Sequence, residues 1–249
     1  MRAIVVLGLL ALVGLAEAEV RRTKWKMVNK FPTVLSEIRS RQAEFRKKWK
    51  QADGKERERI REKARRFVVK MITRRIFPPW MGTPWHMGKD DDALMPHQEG
   101  KRISCSMFVT AVLQNAGLQL DNRKRWADSR ALYIQRSLAP EPEDLHRYFS
   151  IPPRELAGKL GKLEDGLYLI GLNCHVGFVI IQNKKVHFVH SNYVDPEEGV
   201  VDELLEESQA IMNSQPVGYW ITPVFQDDRL IEFWLEGKPV PIRRNFGSS

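Results

Sequence analysis

His175-Val-Gly-Phe-Val-Ile-Ile181, Gln182-Asn-Lys-Lys185 and Val186-His-Phe-Val-His190 read, in succession, as a β-strand, a tight turn and a second β-strand. Each apolar run is short and rich in Val, Ile and Phe, and four polar residues between them suit a hairpin. If Asn183-Lys184 forms a two-residue turn, Gln182 pairs with Lys185 and Gly177 with His190. Side chains alternate along a strand, so His175 and His190 then share one face and His187 takes the other. A three-residue turn reverses this. Leu167-Tyr-Leu-Ile170 before the hairpin and Val217–Val224 after it are further strand-type runs, while Asp202–Met212 and Asp227–Leu235 are patterned as helices.

Upstream the apolar period lengthens. Val34, Leu35, Ile38, Phe45 and Trp49 recur at steps of three and four, as do Ile60, Ala64, Phe67, Val68, Met71 and Ile72. Ala52-Asp53-Gly54 breaks the two series into a helical hairpin, and Pro78-Pro79 is expected to stop the second helix. Residues 77–102 form a turn-rich loop. Helices are expected at about 105–116 and 127–137, with short ones starting at Pro140 and Pro153. Helices first and a strand meander afterwards indicate an α+β fold with an antiparallel sheet, not alternating β-α-β units.

The chemistry-bearing segment is Ser104-Cys105-Ser106-Met-Phe-Val109, where Cys105 opens an amphipathic helix. Unpaired N–H groups at a helix start stabilise a thiolate, as does a nearby imidazolium. His175 opens a strand, and Gly177 beside it leaves room for a substrate or another backbone. A nucleophile (Cys105), a base (His175) and an orienting residue (His190) form the expected catalytic set; Asn192 and Asp195 are weaker candidates for the third place. The backbone N–H groups of Cys105 and Ser106 are the expected oxyanion donors. Ser104, Trp85 and His86 are expected at the substrate cleft, with His97 near it. No metal or cofactor is expected. The acidic run Asp90-Asp91-Asp92 lacks the spaced ligands of a calcium loop and reads as solvated.

Arg2, the apolar run Ala3–Leu15 and the small residues of Ala16-Glu17-Ala18 read as a signal peptide over residues 1–18, so the protein is expected to be secreted or periplasmic. No segment reads as a membrane span. Of the total charge of +9, residues 19–76 carry 21 Lys and Arg against 7 Asp and Glu, a net of +14. With residues 1–18 neutral, the remainder carries −5. The basic helices therefore suit an anionic surface or polymer, and export argues against nucleic acid. Only two cysteines occur, Cys105 and Cys174. A Cys105–Cys174 disulfide would compete directly with catalysis.

The residues around Cys105, His175 and His190 resemble the NlpC-type cell-wall cysteine peptidases of the papain-like amidase superfamily. That family carries Asp-Cys-Ser-Gly-Phe-Val at the nucleophile, where this chain has Ser104-Cys105-Ser106-Met107-Phe108-Val109. Its histidine strand, His-Val-Gly-Ile-Tyr, is matched by His175-Val-Gly-Phe-Val179, and its third residue by His190 in Phe188-Val-His190-Ser191. A Gly-x-Pro-Tyr loop upstream corresponds to Gly82-Thr-Pro-Trp85, and the likeness spans roughly residues 57–195. It implies a papain-like fold with the nucleophile helix packed on an antiparallel sheet. It also implies hydrolysis of peptide amide bonds in peptidoglycan through Cys-His-His. The expected organisation is a signal peptide at 1–18, a basic helical segment at 19–54 and a papain-like domain at 55–249. Ser104, Met107 and Trp85 depart from the family's Asp, Gly and Tyr. Two other readings stay open: a cysteine-dependent acyltransferase, and a non-catalytic secreted binding module stapled by Cys105–Cys174.

Overall fold

A computed structural model of the chain describes residues 2–88, 93–139 and 141–245, with residues 2–25 described as helical backbone alone. The apolar stripes at three- and four-residue steps fold as α1 (Arg2–Gln51) and α2 (Gly54–Met71), a hairpin across a two-residue break where the Asp53 carbonyl accepts the Glu56 and Arg57 N–H groups. Phe31, Val34, Ile38 and Trp49 of α1 and Ile60, Ala64 and Val68 of α2 are buried together with sheet residues Leu167, Leu169, Phe178 and Val189. The basic segment therefore shares the core of the body that follows it. Gln42 ties α1 down further, its Nε2 donating to the carbonyls of Gly117 (3.0 Å) and Trp234 (2.7 Å).

Pro78-Pro79 does not stop the second helix. Ile72–Ile76 widens into a π-helical turn, the Phe77 N–H reaches back to the Ile72 carbonyl, and α3 (Phe77–Trp80) continues for one more turn. The wider turn works as a fresh helix start, where prolines lack only donors that have no partner anyway. Next come α4 (Cys105–Asn115), β1 (Gln119–Leu120), α5 (Arg123–Ala127), α6 (Ala131–Leu138), β2 (His146–Tyr148) and α7 (Pro153–Leu160). The helix expected at 127–137 is α6, which starts only at Ala131, and a separate short helix, α5, precedes it. The strands β3 (Gly166–Leu172), β4 (His175–Gln182), β5 (Lys185–Ser191) and β6 (Val200–Leu204) follow, then α8 (Gln209–Ser214), β7 (Tyr219–Pro223), α9 (Asp228–Glu236) and β8 (Pro239–Val240).

The fold is mixed α+β. Six strands form an antiparallel sheet in the order β2-β7-β3-β4-β5-β6, and β1 pairs with β8 separately. Alternation divides the large sheet into two faces. Leu167, Leu169, Val176, Phe178 and Val189 lie under α1, α2 and α4. Tyr168, Ile170, Val179, Phe188 and Ile221 pack on the other side against Leu156 and Leu160 of α7 and Ile211 of α8.

The β4–β5 turn is the two-residue one: Gln182 pairs with Lys185, and Asn183 (φ 51°) and Lys184 (φ 66°) both take the left-handed conformation such turns need. The segment expected to be helical from Asp202 begins instead as strand β6. Its β-branched start, Val200-Val201, pairs with β5, and helix α8 waits until Ser208 caps it by accepting the Ile211 N–H. No helix among the described residues is long and apolar enough to cross a membrane.

Candidate active site

Contacts of Ile103 place the nucleophile segment beside the upstream loop and the hairpin. Ile103 bridges Trp85 in parallel and donates its N–H to the Pro84 carbonyl (2.9 Å). Ser191, at the end of β5, donates its hydroxyl to the Ile103 carbonyl at 2.7 Å. Ser104 then takes an extended conformation (φ −78°, ψ 163°), and α4 starts at Cys105, with the Phe108 N–H bonded to the Ser104 carbonyl. Cys105 therefore sits where a helix start favours the thiolate over the thiol. The Ser191 side chain thus links the strand carrying His190 to the turn carrying Cys105.

His175 and His190 share a face of the hairpin, as the two-residue turn requires, and both are buried. Their rings are hydrogen-bonded, His175 Nε2 to His190 Nδ1, at 2.9 Å. A Cβ at position 177 would lie 2.8 Å from the His190 Cβ and 2.5 Å from the Phe188 ring, so only glycine leaves His190 its place there. The Phe188 ring stacks on His190 at 4.0 Å, and Tyr193 lies 4.9 Å from His175.

A fourth member is not legible in the sequence. Glu203 on β6 accepts from His190 Nε2 at 3.0 Å. A carboxylate only accepts, so His190 Nε2 carries a proton, and when that ring is neutral its Nδ1 is an acceptor. The proton between the rings then belongs to His175 Nε2, and the His175 Nδ1 carries a lone pair. Burial, aided by the neighbouring His190, pushes the His175 pKa well below the usual histidine range and keeps the ring neutral. Burial pushes the Glu203 carboxyl up, but hydrogen bonds from His190 and Ser208 and the His190 charge outweigh it, so Glu203 ionises more readily than an ordinary glutamate.

Cys105, Ser106 and His175 border one cavity of about 620 Å³ at the end of the sheet where β3 turns into β4. Ala131, Leu132 and Trp220 supply its apolar wall and Arg130 a cation. By strand alternation His175 lies on the Val179 face and α4 on the Val176 face, so thiol and imidazole border the cavity around the sheet's end, not across its face. The expected cleft residues Ser104, Trp85 and His86 do not line this cavity. Trp85 stands behind Tyr193, ring to ring at 6.4 Å, and the His86 Nδ1 accepts the Gly88 N–H. His97 bonds the Met81 carbonyl through Nε2. Asn192 and Asp195 organise the loop after β5: Asn192 Oδ1 accepts the Val194 and Asp195 N–H groups, and Asp195 Oδ1 accepts those of Glu197 and Glu198.

Strand alternation carried back from His175 predicts an extended Cys174 whose thiol points away from the imidazole. The structure corrects that expectation. Asn173-Cys174 is a turn, Cys174 has φ 63°, and its exposed thiol borders the same cavity as Cys105. Cys105 and Cys174 are separate thiols, not a disulfide. Among the described residues no group of three or more His, Cys, Asp or Glu could hold a metal ion; Asp90, Asp91 and Asp92 lie outside them. No protein family, curated protein or solved structure matches this chain.

Proposed function

We propose that the protein is a secreted cysteine amidohydrolase of the papain-like, NlpC type, which hydrolyses peptide amide bonds in peptidoglycan. The observation that carries the reading is a thiol at a helix start and a neutral, buried imidazole on one cavity, the imidazole backed by His190 and an ionised Glu203. The likeness of Cys105-Ser106, His175-Val-Gly177 and His190-Ser191 to the NlpC motifs supports the substrate class.

In this mechanism His175 Nδ1 takes the Cys105 proton, and the thiolate sulfur bonds to the amide carbonyl carbon. The carbonyl electron pair moves to oxygen, where the first N–H groups of α4, at Cys105 and Ser106, stabilise it. Collapse expels the amine, which takes the proton from His175, and leaves an S-acyl enzyme. Water, deprotonated by His175, then attacks the thioester. The carboxylic acid departs and the proton returns to sulfur. His190 and Glu203 touch no reacting atom: they hold the His175 tautomer and offset the positive charge it gains in each half-reaction.

Digestion of purified peptidoglycan, with fragments identified by mass, tests the reading. The wild-type chain releases fragments with new amine and carboxyl ends, and Cys105→Ala releases none above the uncatalysed background. Wild-type rates in Cys105→Ala would overturn it.

A further inference from the structure

The outer face of α2 carries exposed cations at Lys55, Arg59, Lys63, Arg66 and Lys70, and the π-helical turn after it adds Arg74, at steps of four, four, three, four and four. Such steps hold a helix to one side, so six cations fall within roughly 28 Å along the axis. The same residues border three depressions of about 340, 550 and 440 Å³ that join end to end. Glu62 and Arg66 belong to the first and second, and Thr73, Arg74, Ile180 and Gln182 to the second and third. Lys185 continues the line at the β4–β5 turn, where Arg74 donates to Gln182 at 3.2 Å. Three of the acids along this trough are engaged within the fold. Glu62 binds Arg65 at 2.8 Å and reaches Arg66 at 3.4 Å, Asp165 accepts the Asn183 N–H, and Asp202 pairs with His187.

We infer that this trough binds a linear polyol-phosphate chain, a flexible polyanion without bases. A bilayer is the poorer fit. The apolar stripe of α2, Ile60, Ala64, Val68 and Met71, is spent on the protein core, and what faces out is charged and concave. A single-stranded nucleic acid is poorer too. It needs aromatic platforms for its bases, and Phe225, the one Phe, Tyr or Trp bordering the trough among the described residues, is fully buried. A phosphate polymer needs only cations at a regular spacing. The trough meets the hairpin at its turn, about 25 Å along β4 from His175, so a bound polymer anchors the protein and leaves the cavity at Cys105 open.

Binding is measured on the full chain carrying Cys105→Ala, which separates this inference from the proposed hydrolysis. The probe is poly(glycerol phosphate) of defined length. A trough variant (Lys63→Gln, Arg66→Gln, Lys70→Gln, Arg74→Gln) is compared with an equally charged control on α1 (Arg39→Gln, Lys47→Gln, Lys48→Gln, Lys50→Gln). The trough variant should bind at least tenfold more weakly. Its slope of log affinity against log salt should be shallower by about 3, since each phosphate neutralised by a trough cation contributes roughly 0.7. The control should stay within about twofold of the parent. Equal losses in both variants would reduce the effect to net charge and overturn the inference. So would tighter binding to a single-stranded oligonucleotide of equal charge, or to vesicles half anionic in composition. Thermal melts matching the parent establish that the trough variant is folded.

Discussion

Two histidine–carboxylate pairs lie between the same two strands, β5 and β6. His187 meets Asp202 at 2.9 Å and His190 meets Glu203 at 3.0 Å. Their geometry is alike and their surroundings are not. The His187 and Asp202 side chains are 37% and 44% exposed, whereas His190 is fully buried and Glu203 is 31% exposed. Water screens the first pair, and the burial that protects the second also places it behind a second imidazole bordering a cavity. The contrast teaches that a histidine–carboxylate pair sets no role by itself; in the proposed mechanism the role comes from what the buried side of the sheet connects it to.

The largest test of this contrast is Glu203→Gln, which keeps the size and removes the charge. A hydrogen bond to a charged group contributes about 1.5–3 kcal/mol, so kcat/KM should fall about 10- to 150-fold. The pH profile of Cys105 alkylation should change with it, because the imidazolium partner of the thiolate loses its support. A loss under twofold with an unchanged profile would make the buried pair no different from the exposed one.

Proton linkage gives a second, smaller effect. His175 has a lowered pKa in the folded chain, so the unfolded chain binds more protons once pH drops below the ordinary histidine value of 6.5. Stability is fully present above that pH and declines as pH falls toward the folded pKa, by up to about 1.4 kcal/mol per pH unit, roughly 3–5 °C in Tm. Glu203, also lowered, adds a loss below its ordinary value of 4.5. Melting curves from pH 7 to pH 5 should show the decline in the wild-type chain and a flatter course in His175→Gln. The smallest effect is expected at the exposed pair. His187→Ala or Asp202→Asn should leave kcat/KM within about threefold and stability within about 1 kcal/mol. A larger loss of activity there would erase the contrast.

The hairpin is the more legible part of this chain, because apolar runs bounding Gln182–Lys185 mark two strands and a turn; the turn length stays open in the sequence, and the two-residue turn found places His175 beside His190. Glu203 is hidden by the pattern around it. Leu204, Leu205, Ala210 and Ile211 read as a helical stripe, and beyond its β-branched start, Val200-Val201, the short edge strand that precedes α8 owes its form to pairing with β5. Cys174 is obscured for a similar reason. A non-glycine residue in the left-handed conformation gives little local sign, so the β3–β4 turn reads as more strand. Ser191, which fastens the nucleophile segment to β5, carries no pattern at all; its role is visible only once Ile103 is beside it.

The burial of α1 in the common core limits where this chain tolerates being shortened. Among the described side chains, the first one packed in that core is Phe31. A cut after Trp49 strips Phe31, Val34, Ile38 and Trp49 from their neighbours, and removes the Gln42 clamp on Gly117 and Trp234. The helix from Phe31 onward is therefore as indispensable to the fold as the sheet whose core it shares.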